Sequence, residues 1–266
     1  MDYSRYEPGL RVAVADRILT LTLNRPEKSN ANTPVMHADL GRIWDDIAVD
    51  PDVDVVILTG AGEKAFSAGG DPGHMQAMID DENLWRQTVV EARRIVWRLL
   101  ECDVPIIARV NGAAVGFGAT LALACDIVVA VEDARIGDPH VHAGLVAGDG
   151  GALFWPPLVG PSRARELLFT GELLTARQAH ELGLVNHVVP RAELDAKVQE
   201  IARKIRAGAS RAIRLTKHLL NLPLRQQAHG LMDFGLANES LSQKTRDHAE
   251  AVAAMREKRK PKFEGR

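Results

Sequence analysis

Apolar runs rich in β-branched residues alternate with helical periodicity through the first half of the chain, and that alternation restricts the fold more than any other feature. Val53–Thr59, Pro105–Val110 and Ile127–Val131 are apolar runs whose only charged residues are Asp54 and Arg109, as expected of strands covered on both faces. Val12–Ala15 and Ile18–Leu23 flank Asp16-Arg17, the pattern of a hairpin. Between the runs lie helices. Thr33-Pro34 supplies an N-cap and a first-turn proline, and Met36, Leu40, Ile43, Trp44 and Ile47 then recur at helical spacing, so one helix is expected as far as Asp50-Pro51. Leu84–Leu100 reads as a longer helix. Strand, helix, strand in succession implies α/β layering with crossover connections. After Gly151 only Val185–Val189 reads as a strand, while 161–169, 175–182, 191–206, 210–220 and 224–259 read as helices, the last long enough to contain a break. The expected division is a core at 1–200 carrying the site and a helical region at 201–266.

A formal charge of −2 gives no field to recruit nucleic acid or an acidic membrane. Cys102 and Cys125 form no disulfide framework or metal-ligand spacing. The start, MDYSRYEPGLRV, lacks the basic-then-apolar pattern of a signal peptide, and the uncharged run at 110–125 is too short to span a bilayer. A soluble, cytoplasmic protein with a small-molecule substrate, no nucleic-acid or membrane partner and no metal is the expectation.

Eight of the 22 glycines fall between Asn111 and Gly151. Glycine serves where the backbone takes positive φ or another atom comes close. Gly116-Phe117-Gly118 leads into an apolar run ending at Cys125-Asp126, the pattern of a loop feeding a buried helix whose first amides are free to donate. Ser67-Ala68-Gly69-Gly70-Asp71 is a second such loop. Each alone is compatible with a plain turn; together they offer two converging amide donors for an oxyanion. His140, His142 and Asp149 are the densest titratable group in this apolar region. An extended backbone there would aim both histidines at one face, and Asp149 is suited either to orient a histidine or to cap a turn.

KAFSAGGD (64–71), NGAAVGFG (111–118), LALACDIVVA (121–130), GDGG (148–151), NRPEKSNA (24–31), the run at 168–189 and EKRKPKF (257–263) resemble the enoyl-CoA hydratase/isomerase family, the crotonase superfamily. The resemblance covers nearly the whole chain. It implies an α/β spiral of ββα units with a helical C-terminal region that builds homotrimers or dimers of trimers. It also implies a thioester carbonyl held as an enolate by the amides of Gly70 and Phe117. Coenzyme A would be part of the substrate, met by Arg25, Lys28, Ser29, Lys64, Ala68 and Lys258, with no tightly bound cofactor. The acid/base pair of the hydratases is missing. Thr120 stands where they carry one glutamate, and GDPH puts His140 at the position of the other. A threonine is neutral at any relevant pH and is no general base.

DPHVHAGLVAGDGG also resembles 6-oxocamphor hydrolase, a superfamily member that cleaves a cyclic β-diketone without CoA. That resemblance implies roles for His37, His140, Asp149 and Glu239, although Phe117 replaces a histidine of that enzyme's glycine loop. On residue type alone, His37 reads as an edge-of-core histidine and Glu239 as a solvated helix face. The alternatives are an acyl-CoA enzyme with His140 and Asp149 replacing the two glutamates, a CoA-independent diketone C–C hydrolase, and a non-catalytic trimeric scaffold.

Overall fold

The computed structural model describes residues 1–266. The chain opens with a hairpin of β1 (Leu10–Ala15) and β2 (Ile18–Leu23), turned by Asp16 and Arg17 at φ 51° and 62°. The helix expected from Thr33 does begin there: the Thr33 hydroxyl accepts from the Met36 amide at 3.1 Å. It is interrupted at Gly41-Arg42, however, giving α1 (Pro34–Leu40) and α2 (Ile43–Val49). Both pieces keep the buried stripe of Met36, Leu40, Ile43, Trp44 and Ile47, so burial pattern alone does not reveal the break.

Three similar turns follow. β3 (Val55–Gly60) and β4 (Ala65–Ser67) lead to α3 (Pro72–Asp80) and α4 (Glu82–Glu101). β5 (Ile106–Val110) and β6 (Ala113–Val115) lead to α5 (Phe117–Leu123). β7 (Ile127–Val131) and β8 (Arg135–Gly137) lead through the 3₁₀ turn His140–Ala143 to α6 (Gly151–Val159) and α7 (Pro161–Thr170). The first strand of each turn joins a six-stranded sheet of order β1-β2-β3-β5-β7-β10, parallel from β2 onward. The second joins a small sheet of order β4-β6-β8-β9. This is the ββα spiral of the crotonase fold. β9 (Leu174–Thr175), α8 (Ala176–Glu181) and β10 (His187–Val189) close the two sheets, and α9 (Leu194–Arg206) and α10 (Ser210–Leu220) follow. The last region divides into α11 (Leu222–Gln243) and α12 (Arg246–Glu257). β3 is buried along its whole length, as its continuous apolar sequence requires. No helix is long and apolar enough to cross a membrane.

Two buried asparagines stitch successive turns of the spiral together. The Asn30 side chain donates to the carbonyls of Ala61 and Ala65 at 2.9 and 2.8 Å, and the Asn111 side chain donates to those of Gly62 and Ala65 at 2.8 and 3.0 Å. Fixed amide partners of this kind satisfy loop backbone that packing has removed from water. They also set the rim where the glycine loops meet.

Candidate active site

The two glycine loops touch. The Ser67 hydroxyl donates to the Asn30 carbonyl at 2.9 Å and accepts from the Gly69 amide at 3.1 Å, while the Asn32 amide donates to the Gly69 carbonyl at 2.8 Å. Gly69 is held at φ +78°, and a Cβ there would lie 2.7 Å from the Val115 carbonyl oxygen and 3.2 Å from the Phe117 nitrogen. A Cβ on Gly118 would lie 2.3 Å from the Ser67 carbonyl oxygen. Only glycine permits both approaches. Gly70 and Phe117 thereby line one cavity of about 240 Å³, and neither amide donates to a protein acceptor.

The same cavity receives His37, His140, Asp149 and Glu239, brought from four separate segments. His140 begins the 3₁₀ turn. The segment is therefore not extended: His142 is exposed and packs toward Gly171, away from His140. Asp149 is 7% exposed and precedes Gly150, which at φ +141° starts α6. Glu239 reaches in from α11. Gly235, one turn earlier, packs directly on Gly148, where a Cβ would lie 2.3 Å from the Gly235 carbonyl. That close contact carries Glu239 to the site, so the solvated-face expectation for Glu239 fails: it is 5% exposed. His37 is 8% exposed and lies against Phe117, ring centroids 5.2 Å apart.

Sequence reasoning missed Asp138. Its side chain is fully buried and its Oδ1 accepts from His140 Nδ1, while Asp149 Oδ2 lies 3.3 Å from His140 Nε2. The signal available was a carboxylate two residues before the histidine across a proline, a spacing that a tight turn closes. Burial favours a neutral His140 ring, but the charges and hydrogen bonds of Asp138 and Asp149 outweigh it and push its pKa well above the usual histidine value. Burial raises Glu239 well above the usual carboxyl range, and the Asp149 charge adds to this, with His140 opposing. Both shifts favour the protonated forms, an imidazolium and a neutral carboxyl, which are groups able to give protons. Asp149 Oδ1 and Glu239 Oε2 have no protein hydrogen-bond partner. Ligand atoms of His140, Asp149 and Glu239 lie within 4.8 Å of one another, a set able to hold a divalent cation.

Thr120 takes no part. It is buried outside the cavity lining, with its methyl group where a Cβ on Gly150 would lie, 2.4 Å away. Three further histidine or carboxylate groups surround the site without having been singled out in the sequence. His74 lines the cavity, kept below the ordinary histidine range chiefly by burial. His248 lines it too; burial lowers its pKa, and its Nδ1 donates to the Ala143 carbonyl at 2.7 Å. Glu91 lies behind His37 at 3.0 Å. Of the residues implied for CoA, only Ala68 lines the cavity. Arg25 is half-buried at the Asp71 carboxylate, 3.0 Å away, and Lys28, Lys64 and Lys258 are exposed. Ser29, at φ 52°, offers its carbonyl to the Ala68 amide at 3.0 Å.

Residues 14–266 match the enoyl-CoA hydratase/isomerase family. The chain belongs to that family. A putative enoyl-CoA hydratase/isomerase of Bacillus subtilis is 35% identical over 254 residues, covering 94% of this chain and 95% of that one. The crystal structure of an enoyl-CoA hydratase/isomerase from Mycobacterium paratuberculosis is 38% identical with a TM-score of 0.89, over 92% of this chain and 97% of the other. A β-diketone hydrolase from Anabaena sp. PCC 7120, bound to (S)-3-oxocyclohexyl acetic acid, is 33% identical with a TM-score of 0.83, over 91% and 96%. As a member of the enoyl-CoA hydratase/isomerase family the protein is an enzyme, which sets the scaffold reading aside.

Proposed function

We propose that the enzyme binds an acyl-CoA, places its thioester carbonyl between the amides of Gly70 and Phe117, and handles protons through His140, held between Asp138 and Asp149. The observation that carries this reading is that the two free amides line one cavity with His140, Asp149 and Glu239, while Asp138 is buried behind His140. Amide donors in a water-poor site stabilise the enolate oxygen, typically by about 3–4 kcal/mol per donor. His140 supplies or removes the proton that the two glutamates of a hydratase would handle. On this reading Arg25, Lys28, Ser29, Lys64, Ala68 and Lys258 meet the CoA moiety. Calorimetric titration with CoA and short acyl-CoAs tests it, together with turnover by His140→Ala; no binding at about millimolar concentration, where ΔG° is about −4 kcal/mol, refutes it.

A second reading is favoured by one specific observation: His37, His140, Asp149 and Glu239 all reach the cavity. On it the enzyme hydrolyses a cyclic β-diketone without CoA. Water, passing its proton to the Asp149 carboxylate beside His140, adds its oxygen to one carbonyl carbon, the C–C bond to the central carbon breaks, and His140 gives the leaving enolate its proton and regains one from Asp149. This reading is supported by the similarity to the Anabaena β-diketone hydrolase. Loss of the enol absorbance of cyclic 1,3-diketones, abolished in His140→Ala, is its test; a broad panel without turnover refutes it.

A homotrimer or a dimer of trimers belongs to the same proposal. Leu215, Leu219 and Leu220 on α10 and Phe234 and Leu241 on α11 are 58–71% exposed, an apolar display that supports this reading. Sedimentation at micromolar protein reads the state directly.

A further inference from the structure

A second histidine–carboxylate pair borders the cavity, with His37 lining it and Glu91 behind, and the acyl-CoA chemistry proposed above has not used it. His37 Nδ1 lies 3.0 Å from Glu91 Oε2, and Glu91 Oε1 accepts from the Gln87 side-chain amide at 2.8 Å. Both partners are largely buried, with 10% and 14% of their side chains exposed. A carboxylate held in this way accepts from Nδ1–H, so a neutral His37 carries its proton on Nδ1 and presents a bare Nε2. That nitrogen makes no protein hydrogen bond, and its ring lines the cavity. The turn that carries the oxyanion amide has one histidine at each residue: a Cβ on Gly116 would lie 3.8 Å from His140 Cε1, and the Phe117 ring packs on His37. His74 from α3 also interacts with this pair, and Asp39 of α1 and Arg42 just beyond it interact with Glu91.

Resting on the acyl-CoA reading above, we propose that Glu91 is a positioning residue that makes His37 the base of the reaction, the counterpart of the proton donor His140. In the step assigned to it, the C–H bond next to the thioester carbonyl breaks. Its proton forms the Nε2–H bond of His37, and its electron pair becomes the enolate whose oxygen rests on the Gly70 and Phe117 amides. Neither an oxidant nor a metal enters the balance.

Glu91→Gln is the decisive change because it keeps the shape. With Gln87 still donating to the remaining oxygen, the new amide NH₂ faces His37 Nδ1, which then has to accept, and the proton moves to Nε2. Histidine-selective ¹⁵N spectra of the full-length enzyme are expected to show His37 protonated on Nδ1 in the wild type and on Nε2 in E91Q. Uptake of solvent deuterium at C2 of butyryl-CoA is expected to fall by at least about 100-fold in E91Q and in His37→Gln. A wild-type His37 with its proton on Nε2 overturns the proposal, as does wild-type exchange retained in H37Q, which reports even if E91Q fails to fold. Exchange in the wild type that survives E91Q removes Glu91 alone from the mechanism. No exchange in any form overturns His37 as base, and if butyryl-CoA also fails to bind, the acyl-CoA reading falls with it.

Discussion

Replacing Asp138 with asparagine tests the heart of the site with almost no change in volume. The Asp138 side chain has no solvent exposure; its Oδ1 receives His140 Nδ1, and the His140 backbone amide lies 3.4 Å away. An asparagine presenting its NH₂ to Nδ1 reverses the direction of that hydrogen bond and leaves Asp149, 3.3 Å from Nε2, as the remaining carboxylate partner. In a Ser-His-Asp triad the corresponding change lowers kcat by about 10⁴. His140 keeps one carboxylate here, so the expected loss is about 10²–10³-fold, within the range for one general acid/base group. Loss of a charged hydrogen bond costs about 1.5–3 kcal/mol, and a chain of this size loses roughly 2–4 °C in Tm per kcal/mol. D138N should therefore melt about 3–12 °C lower. Because Asp138 is the larger of the two charges raising His140, the limb of the pH–rate profile that needs the imidazolium should move to lower pH. The assay is kcat and kcat/KM against pH on the acyl-CoA that titrates best, with differential scanning calorimetry alongside. A lower Tm with an unchanged pH profile would leave Asp138 a purely structural residue and refute the reasoning.

Gly118→Ala puts a methyl group 2.3 Å from the Ser67 carbonyl oxygen, where backbone has no rotamer to yield; a cost of about 1–3 kcal/mol and a kcat loss of about 10²–10³ from separated oxyanion donors are expected by calorimetry and steady-state kinetics. Glu239 tests linkage. Its folded pKa is raised, so the native state holds a proton that the unfolded chain releases above about pH 4.3, and stability is lost from there upward until the folded value is passed. Glu239→Gln removes that loss, so urea midpoints of the variant relative to wild type should rise steadily from about pH 4 upward; parallel curves would refute the buried protonated carboxyl. Thr120→Glu should not install hydratase activity, because the side chain meets Gly150 instead of the cavity. It should instead unfold about 1–3 kcal/mol more easily, and measurable crotonyl-CoA hydration by a stable variant would contradict the packing.

Much of the fold was legible because periodicity is local. The apolar runs at Val53, Pro105 and Ile127 became β3, β5 and β7, and the Thr33 cap and the Asp16-Arg17 turn lie where their side-chain chemistry puts them. The break at Gly41-Arg42 and helix α3 were missed: the first keeps its hydrophobic stripe on both sides, and the second is only nine residues long, directly after a glycine loop, too short for Met75, Met78 and Ile79 to set a period. Amphipathic pattern records which residues are buried, and it is silent on where a helix changes direction.

For the site, the sequence by itself placed the two glycine loops and the His140–Asp149 segment, since glycine at a close approach and a titratable group in an apolar run are visible one residue at a time. Tertiary structure decided the rest. It turned His142 out by winding 140–143 into a 3₁₀ turn, and set Asp138 beneath His140. Through the Gly148–Gly235 contact it brought Glu239 across from a helix some ninety residues later in the chain. It also placed Glu91 behind His37. Charges buried together acquire their protonation states from one another, and that coupling depends on distance through space, which the order of residues along a chain does not contain.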